Sequence, residues 1–318
     1  MRLEYLKKPV IAFVLLIFSC LFLPDTLQAK EKINFVQRFS IKMSTGLSHF
    51  SIGDINDHLR SGNERHIDTA LYFNGLKKGR LEEIDRGSDS ELELAFNMTS
   101  RLRIYLSSGY LVTKGESSSG FEISPPEFFN VDFTFSPRIS VRAIPIKLGV
   151  SYTVPLTKNA KICLNGGTGS YFIKANYYWE EIEIWTRDDG SLFTDIREII
   201  EWDLSSKGSG YHWGIGLEYN FSKNLSFTIE YQRRSVLINR LEGTEIFLGS
   251  GYNDSFYGSV YYFEKMSSVT EKYYISIGFY KSKPGEPYQP YPEYKNIRYA
   301  KLDLSGDSLK VGLRIRLF

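Results

Sequence analysis

Residues 91–112 read ELELAFNMTSRLRIYLSSGYLV, and the spacing of apolar residues within this stretch sets the architecture. Leu92, Leu94, Phe96 and Met98 alternate with Glu91, Glu93, Ala95 and Asn97; beyond Thr99 to Arg101, apolar residues resume at Leu102, Ile104, Leu106, Tyr110 and Val112. Successive side chains of a strand point to opposite sides, so a period of two marks a strand with two chemically different faces. A break of three residues between two such runs is a hairpin with a tight turn.

The pattern spreads outward in both directions. Upstream, Phe39, Ile41, Met43, Thr45 and Leu47 alternate with Ser40, Lys42, Ser44, Gly46 and Ser48. Downstream, Ile144, Ile146, Leu148, Val150, Tyr152 and Val154 are joined to Ile162 and Leu164 through Pro155 to Lys161. Trp213, Ile215, Leu217, Tyr219 and Phe221 are joined to Phe227, Ile229 and Tyr231 through Ser222 to Leu225. Short connections therefore recur at every other junction. The intervening ones are long and polar: 51–90, 114–137, 180–209, and the stretch after Leu237. An antiparallel transmembrane β-barrel has this parity, with short periplasmic turns and long extracellular loops. A soluble β-sandwich has no reason to keep it.

Further short runs, Tyr257 to Phe263, Tyr273 to Phe279 and Leu309 to Leu317, bring the expected count to about ten strands. Eight is the alternative, with the first two runs forming a hairpin above the membrane. Both counts are even, as single-chain bacterial barrels are. The proline-rich stretch 284–292 is loop, since each proline removes a ladder donor. In Arg187-Asp188-Asp189-Gly190 the Asp-Gly step signals a turn, so Tyr177 to Trp185 and Ile196 to Leu204 are expected to rise as an extended hairpin.

A mean hydropathy of -0.25 does not argue against a membrane location, because barrel strands average apolar and polar faces to neutrality. Aromatic residues make up 15% of the chain, and a formal charge of +2 with 24% charged residues leaves no basic excess for phosphate, so nucleic acid is not an expected partner. Arg2, Lys7 and Lys8 precede the apolar run Val10 to Leu23, and Leu27-Gln28-Ala29 offers a cleavage site. Residues 1–29 are thus expected to be a signal peptide, and 30–318 the barrel domain. After cleavage Cys163 is the remaining cysteine, so no intrachain disulfide is expected, and neither a cofactor nor a metal.

The chain closes on SLKVGLRIRLF, an alternating strand ending at Phe318. This resembles the terminal strand of bacterial outer-membrane β-barrel proteins, whose last aromatic residue serves as an assembly signal. Arg316 and Arg314 occupy the places where that pattern has apolar residues, and Leu317, Ile315 and Leu313 form the apolar face instead. The resemblance implies an outer-membrane location, with membrane lipid and the barrel assembly machinery as partners, and implies no reaction.

If the apolar positions face lipid, then Lys42, Glu91, Glu93, Arg101, Arg103, Lys147, Glu218, Glu230, Lys310, Arg314 and Arg316 face the lumen. Mixed signs in a narrow interior should pair, because unpaired buried charge is expensive, so a plugged or very narrow lumen is expected. The inward Gly46, Gly149, Gly214, Gly216, Gly278 and Gly312 permit curvature or the close approach of a neighbour. The functional expectation is a non-enzymatic barrel with a structural, surface-interaction or narrow-transport role, any surface ligand being met by the long loops. The alternative is a membrane-embedded hydrolase acting on lipid A or peptides, in which Asp57-His58 or His66-x-Asp68 would supply an oriented base. Asp54-x-Asn56-Asp57 has oxygen ligands loosely spaced for Ca²⁺ but lacks the glycine and distal glutamate of a full loop, so a helix N-cap at Asp54 is the simpler reading.

Overall fold

The structure is a computed structural model and describes residues 38–124, 129–249, 252–268, 270–281 and 294–317. The expected signal peptide, the proline-rich stretch 284–292 and Phe318 lie outside the described residues. In chain order, β1 (Phe39–Phe50) leads into α1 (Asp54–Tyr72), β2 (Leu76–Arg80), β3 (Arg86–Asn97), β4 (Leu102–Glu116) and β5 (Ser118–Ile123). Three long strands follow: β6 (Phe129–Pro155), β7 (Ala160–Arg187) and β8 (Leu192–Asn220). Then come β9 (Leu225–Ile238), β10 (Glu242–Gly249), β11 (Tyr252–Met266), β12 (Tyr273–Lys281), β13 (Tyr294–Tyr299), β14 (Leu302–Asp303) and β15 (Gly306–Arg316).

Antiparallel pairing runs β1-β3-β4-β6-β7-β8-β9-β15 and returns to β1, so among the described residues eight strands close a barrel. This corrects the expectation of about ten strands in favour of eight. β11 and β12 pair with each other and join through β10 to Ile199–Ser205 of β8, above the point where β9 has left that strand. They extend the sheet above the barrel and take no part in its wall. Gly278, expected to face inward, lies on β12 and so outside the barrel.

The three tight turns share one construction. Thr99, Thr157 and Ser222 each use Oγ to accept the backbone N–H three residues on, at 2.9, 3.0 and 3.1 Å. Local hydroxyl-to-backbone bonds of this kind favour turns over continued strand. The long β7–β8 hairpin turns at Asp188-Asp189-Gly190, where Gly190 has φ 80°, a left-handed conformation that glycine adopts without steric penalty.

Side-chain exposure divides the barrel into two zones along its axis. In the lower zone apolar residues point outward: Leu47 is 78% exposed and Leu148 56%, with Leu92, Leu106, Ile146, Ile215, Leu309 and Leu313 in the same belt. On β6 this belt runs from Ile144 to Val154, about 33 Å of strand, which at a tilt of about 40° covers about 25 Å of membrane thickness. In the upper zone the inward face becomes apolar, with Phe133, Ile139 and Val141 on β6, Tyr171, Ile173 and Tyr177 on β7, and Trp202 and Leu204 on β8. The strands keep one pleat throughout; what reverses is which face is apolar.

The long connections are more ordered than their polarity suggests. α1 buries Ile55, Leu59, His66 and Ala70 along one face and sits on the upper core beside β12 and β5. Asp54 does not cap this helix through its side chain, contrary to expectation. It is the first helical residue, and its carboxylate takes Arg298 at 2.8 Å and the Lys301 backbone N–H at 2.6 Å. Farther along, Ser61 Oγ accepts the Ile275 N–H at 2.8 Å and His58 Nδ1 lies 3.4 Å from the Ile275 carbonyl, so the helix occupies the open edge of β12. Covering an edge in this way removes a template for unwanted strand pairing.

Candidate functional site

Two regions hold the chemistry: the lumen and the extramembrane cap. In the lumen, alternation on eight strands turns six cations (Lys42, Arg103, Lys147, Arg234, Lys310, Arg314) and five carboxylates (Asp89, Glu91, Glu93, Glu218, Glu230) into the buried interior. They are arranged in tiers. Nearest the short turns, Glu218 takes Arg103 at 2.9 Å and Arg316 at 3.1 Å. Above it Glu93 takes Lys42 and Arg314, both at 2.8 Å, and Lys42 also reaches Glu230 at 2.7 Å. Higher still, Glu91 takes Lys147 at 2.7 Å and also Lys310, and both lysines share Gln232 Oε1 at 3.2 and 2.9 Å. At the top Arg234 joins Asp89 at 3.2 Å, and its guanidinium lies 5.1 Å from the ring centre of Phe50, where the apolar core begins.

Of the eleven residues read from the sequence as lumen-facing, nine are buried in these tiers. Arg316 lies half-exposed at the lower mouth, and Arg101 sits in the β3–β4 turn instead of the wall. Asp89 and Arg234 were missed. Both continue the inward register of β3 and β9, but their outward neighbours Ser88, Ser90, Arg233 and Ser235 are polar, so the alternation that marked the strands fades there. Tyr105 and His212, also inward, share a 2.7 Å hydrogen bond across the lumen. Gly149 makes room for that pair, since a Cβ there would meet the Tyr105 ring at 2.5 Å. Cys163 is half-buried in the lowest tier, 3.7 Å from a Glu218 oxygen. A void of about 20 Å³ beside Lys42, Glu93, Glu218 and Arg314 has room for about one water molecule.

In the cap, the acid–histidine pairs of the sequence do not form. Asp57 turns to Arg60, at 3.3 Å, while His58 turns to the β12 edge. Asp68 takes Lys272 at 2.8 Å and Tyr274 at 2.7 Å, which hold its carboxyl below the usual range. His66 is buried among Phe121, Phe133 and Phe135, with Nδ1 3.0 Å from the Ser119 hydroxyl. Loss of hydration pushes His58 down to about 4 and His66 down to about 3, with Arg65 adding to both shifts. Among the described residues no cluster of His, Cys, Asp and Glu is placed to hold a metal ion.

Residues 44–253 match the family described as outer membrane protein beta-barrel domain. The chain belongs to that family. Among solved structures it is similar to the outer membrane protein OprG from Pseudomonas aeruginosa, at 8% identity over 87% of this chain and 94% of that one, with a TM-score of 0.32. It is also similar to the outer membrane protease OmpT from Escherichia coli, at 8% identity, 91% and 100% coverage and a TM-score of 0.27. A third is the TodX deltaS2S3 mutant monoaromatic hydrocarbon channel, at 7% identity, 88% and 90% coverage and a TM-score of 0.17. No curated protein matches the chain. Membership of an outer-membrane barrel family assigns the lower apolar belt to lipid and places the cap, on the side of the long connections, outside the cell.

A pH response follows for the cap of this outer-membrane barrel. His58 and His66 bind a proton more readily when the cap is unfolded, because their folded values are depressed. Their stabilising contribution is complete above the unfolded value near 6.5 and is lost as pH falls toward 4 and then 3. Each can remove up to about 1.4 kcal/mol per pH unit in that window. The protection of α1 amides against hydrogen exchange, taken relative to the intrinsic rate at each pH, should therefore fall between pH 7 and pH 4.5 while the barrel strands stay protected, and His66→Phe should flatten the response. Protection factors in α1 that stay constant across that range would count against this account.

Proposed function

We propose that this outer-membrane barrel is closed to solutes and works through its extracellular cap, as a non-enzymatic surface-interaction protein. The observation that carries the reading is the continuous filling of the interior: four tiers of ion-paired side chains, then an apolar core seated under Phe50, Ile52, Ile55 and Leu59. Eight-stranded barrels have interiors just wide enough for side chains to fill, and an aqueous channel needs a much larger ring. With the interior filled, the surface that differs most from a bare barrel is the cap built from α1, the upper halves of β6 to β8 and the β10–β13 sheet.

The hydrolase alternative gains no particular support, since His58, His66 and His212 are engaged with a backbone carbonyl, Ser119 and Tyr105 instead of an acid. Planar-bilayer recording of the purified protein tests the proposal. A baseline without discrete steps is expected, and stable single-channel openings would refute the closed lumen.

A further inference from the structure

A cleft of about 190 Å³ opens in the cap between α1, the upper part of β7 and the β11–β12 hairpin. Its walls carry Arg65 and His66 of α1, Trp179 and Glu181 of β7, Lys265 of β11, and Tyr294 at the start of β13. The aromatic walls are held from behind. Trp179 packs on Tyr177 and Trp202 with ring centres 5.0 and 4.7 Å apart, and Tyr294 stacks on Phe263 at 4.6 Å.

Three polar side chains here lack the partners that several charges elsewhere in the cap possess. Asp54 has Arg298, Asp68 has Lys272, Arg60 has Glu83, Lys78 has Asp132, and Glu180 has Arg197. The Glu181 side chain, by contrast, is half-buried with no hydrogen bond or ion pair among the described residues; burial pushes its carboxyl up, Glu198 and Glu183 add to the rise, and Arg65 pulls the other way. Arg65 likewise has no ion-pair partner among the described residues. His66 Nε2 is buried and unpartnered, while Nδ1 is taken by Ser119. Native folds leave few buried polar groups unsatisfied. A concave, aromatic-walled recess in which several converge has the makeup of a small-molecule site.

We propose that this cleft binds one acidic sugar unit, a pyranose ring bearing a carboxylate. The inference rests on the reading of the cap as the working surface of a closed barrel. The volume falls below the range of about 300–1,000 Å³ typical of drug-sized sites, which limits the occupant to about one ring. Among the lining residues Arg65 and Lys265 outnumber Glu181, while Glu183 and Glu198 lie near Glu181 outside the lining, and the two cations receive the ligand carboxylate. Both histidines are neutral at pH 7 and leave that balance unchanged. Glu181 has only acceptor atoms when ionised and takes ring hydroxyls as donors, and the apolar C–H face of the ring lies against Trp179 or Tyr294. An amino acid fits less well, since its ammonium sits two bonds from its carboxylate and would enter the field of the same two cations.

Titration of the full-length protein in detergent micelles with glucuronate, glucose and tryptophan, read by saturation-transfer NMR and calorimetry, tests the proposal. Glucuronate should bind at least about tenfold more tightly than glucose, and Arg65→Ala and Lys265→Ala should each weaken it about tenfold, equivalent to about 1.4 kcal/mol. Glu181→Ala should weaken glucuronate and glucose alike. Both cations are exposed, so these variants should keep the heat-modifiable migration of a folded barrel, and Arg233→Ala, remote from the cleft, should bind as the parent does. Equal binding of glucuronate and glucose, indifference to Arg65→Ala and Lys265→Ala, or a preference for tryptophan would overturn it. Bilayer recording on the same preparation keeps the two ideas apart. A closed barrel that ignores glucuronate removes the cleft proposal alone, whereas an open channel removes the closed-barrel reading even if glucuronate binds.

Discussion

Glu91→Ala should lower the unfolding free energy of the barrel by about 3–5 kcal/mol, the range for a buried ion pair that loses one partner. Among the described residues Glu91 is the single carboxylate that contacts both Lys147 and Lys310, and all three side chains are almost fully buried. Without it the two ammonium groups face each other across Gln232 Oε1, with Asp89 3.9 Å from Lys310 as the nearest anion. Glu91→Gln should fall between the parent and the alanine variant, because the amide oxygen still accepts hydrogen bonds but brings no charge. Urea unfolding in lipid vesicles, followed by tryptophan fluorescence, measures this. Glu116→Ala breaks an exposed pair with Arg138 and should shift stability by no more than about 1 kcal/mol. Equal effects at Glu91 and Glu116 would mean that the interior is wetter than its geometry indicates.

Leu148→Arg should be nearly as damaging for a different reason. Leu148 is 56% exposed in the middle of the apolar belt, between Leu106 of β4 and Thr168 of β7. An arginine at the bilayer midplane of a barrel destabilises it by about 2–4 kcal/mol. Leu192 near the tip of the β7–β8 hairpin is 62% exposed, yet it lies in the cap, and Leu192→Arg should change stability by less than about 0.5 kcal/mol. The two leucines are similarly exposed, so the contrast isolates the solvent. The same unfolding assay reads both, and matching small effects would remove the belt from the hydrocarbon.

Strand periodicity and turn parity were enough to read a barrel and its inward face wherever one face met lipid. At Glu93 and Lys147 a charged residue lies between leucines or isoleucines, and the contrast is sharp. Above the belt it is lost. Ser88 and Ser90 flank Asp89, and Arg233 and Ser235 flank Arg234, so nothing in the local pattern marks either as inward. The strand count failed for a related reason: β11 and β12 alternate because their sheet packs one face on the cap, and a period of two is the same against protein as against lipid. α1 left a fainter signal, with Ile55, Leu59 and Ala70 separated by multiples of about one helical turn in an otherwise polar stretch. The cleft was not legible at all. Arg65, Trp179, Glu181 and Lys265 come from three distant segments, and only the folded cap brings them together.

The reversal of the apolar face along β6, β7 and β8 also ties the integrity of the cap to closure of the ring. The core of the cap draws on the upper halves of the same strands whose lower halves form the membrane wall, with Ile139, Tyr171, Trp202 and Val236 in one apolar cluster with α1 residues Ile55 and Leu59. None of these strands can offer a complete apolar surface to α1 until its neighbours have paired beside it. The contacts of α1 with β12 and β5 do not depend on the ring, but the floor beneath the helix is complete only when the ring is closed, so a barrel with one strand out of place would also lose part of the seat of its cap.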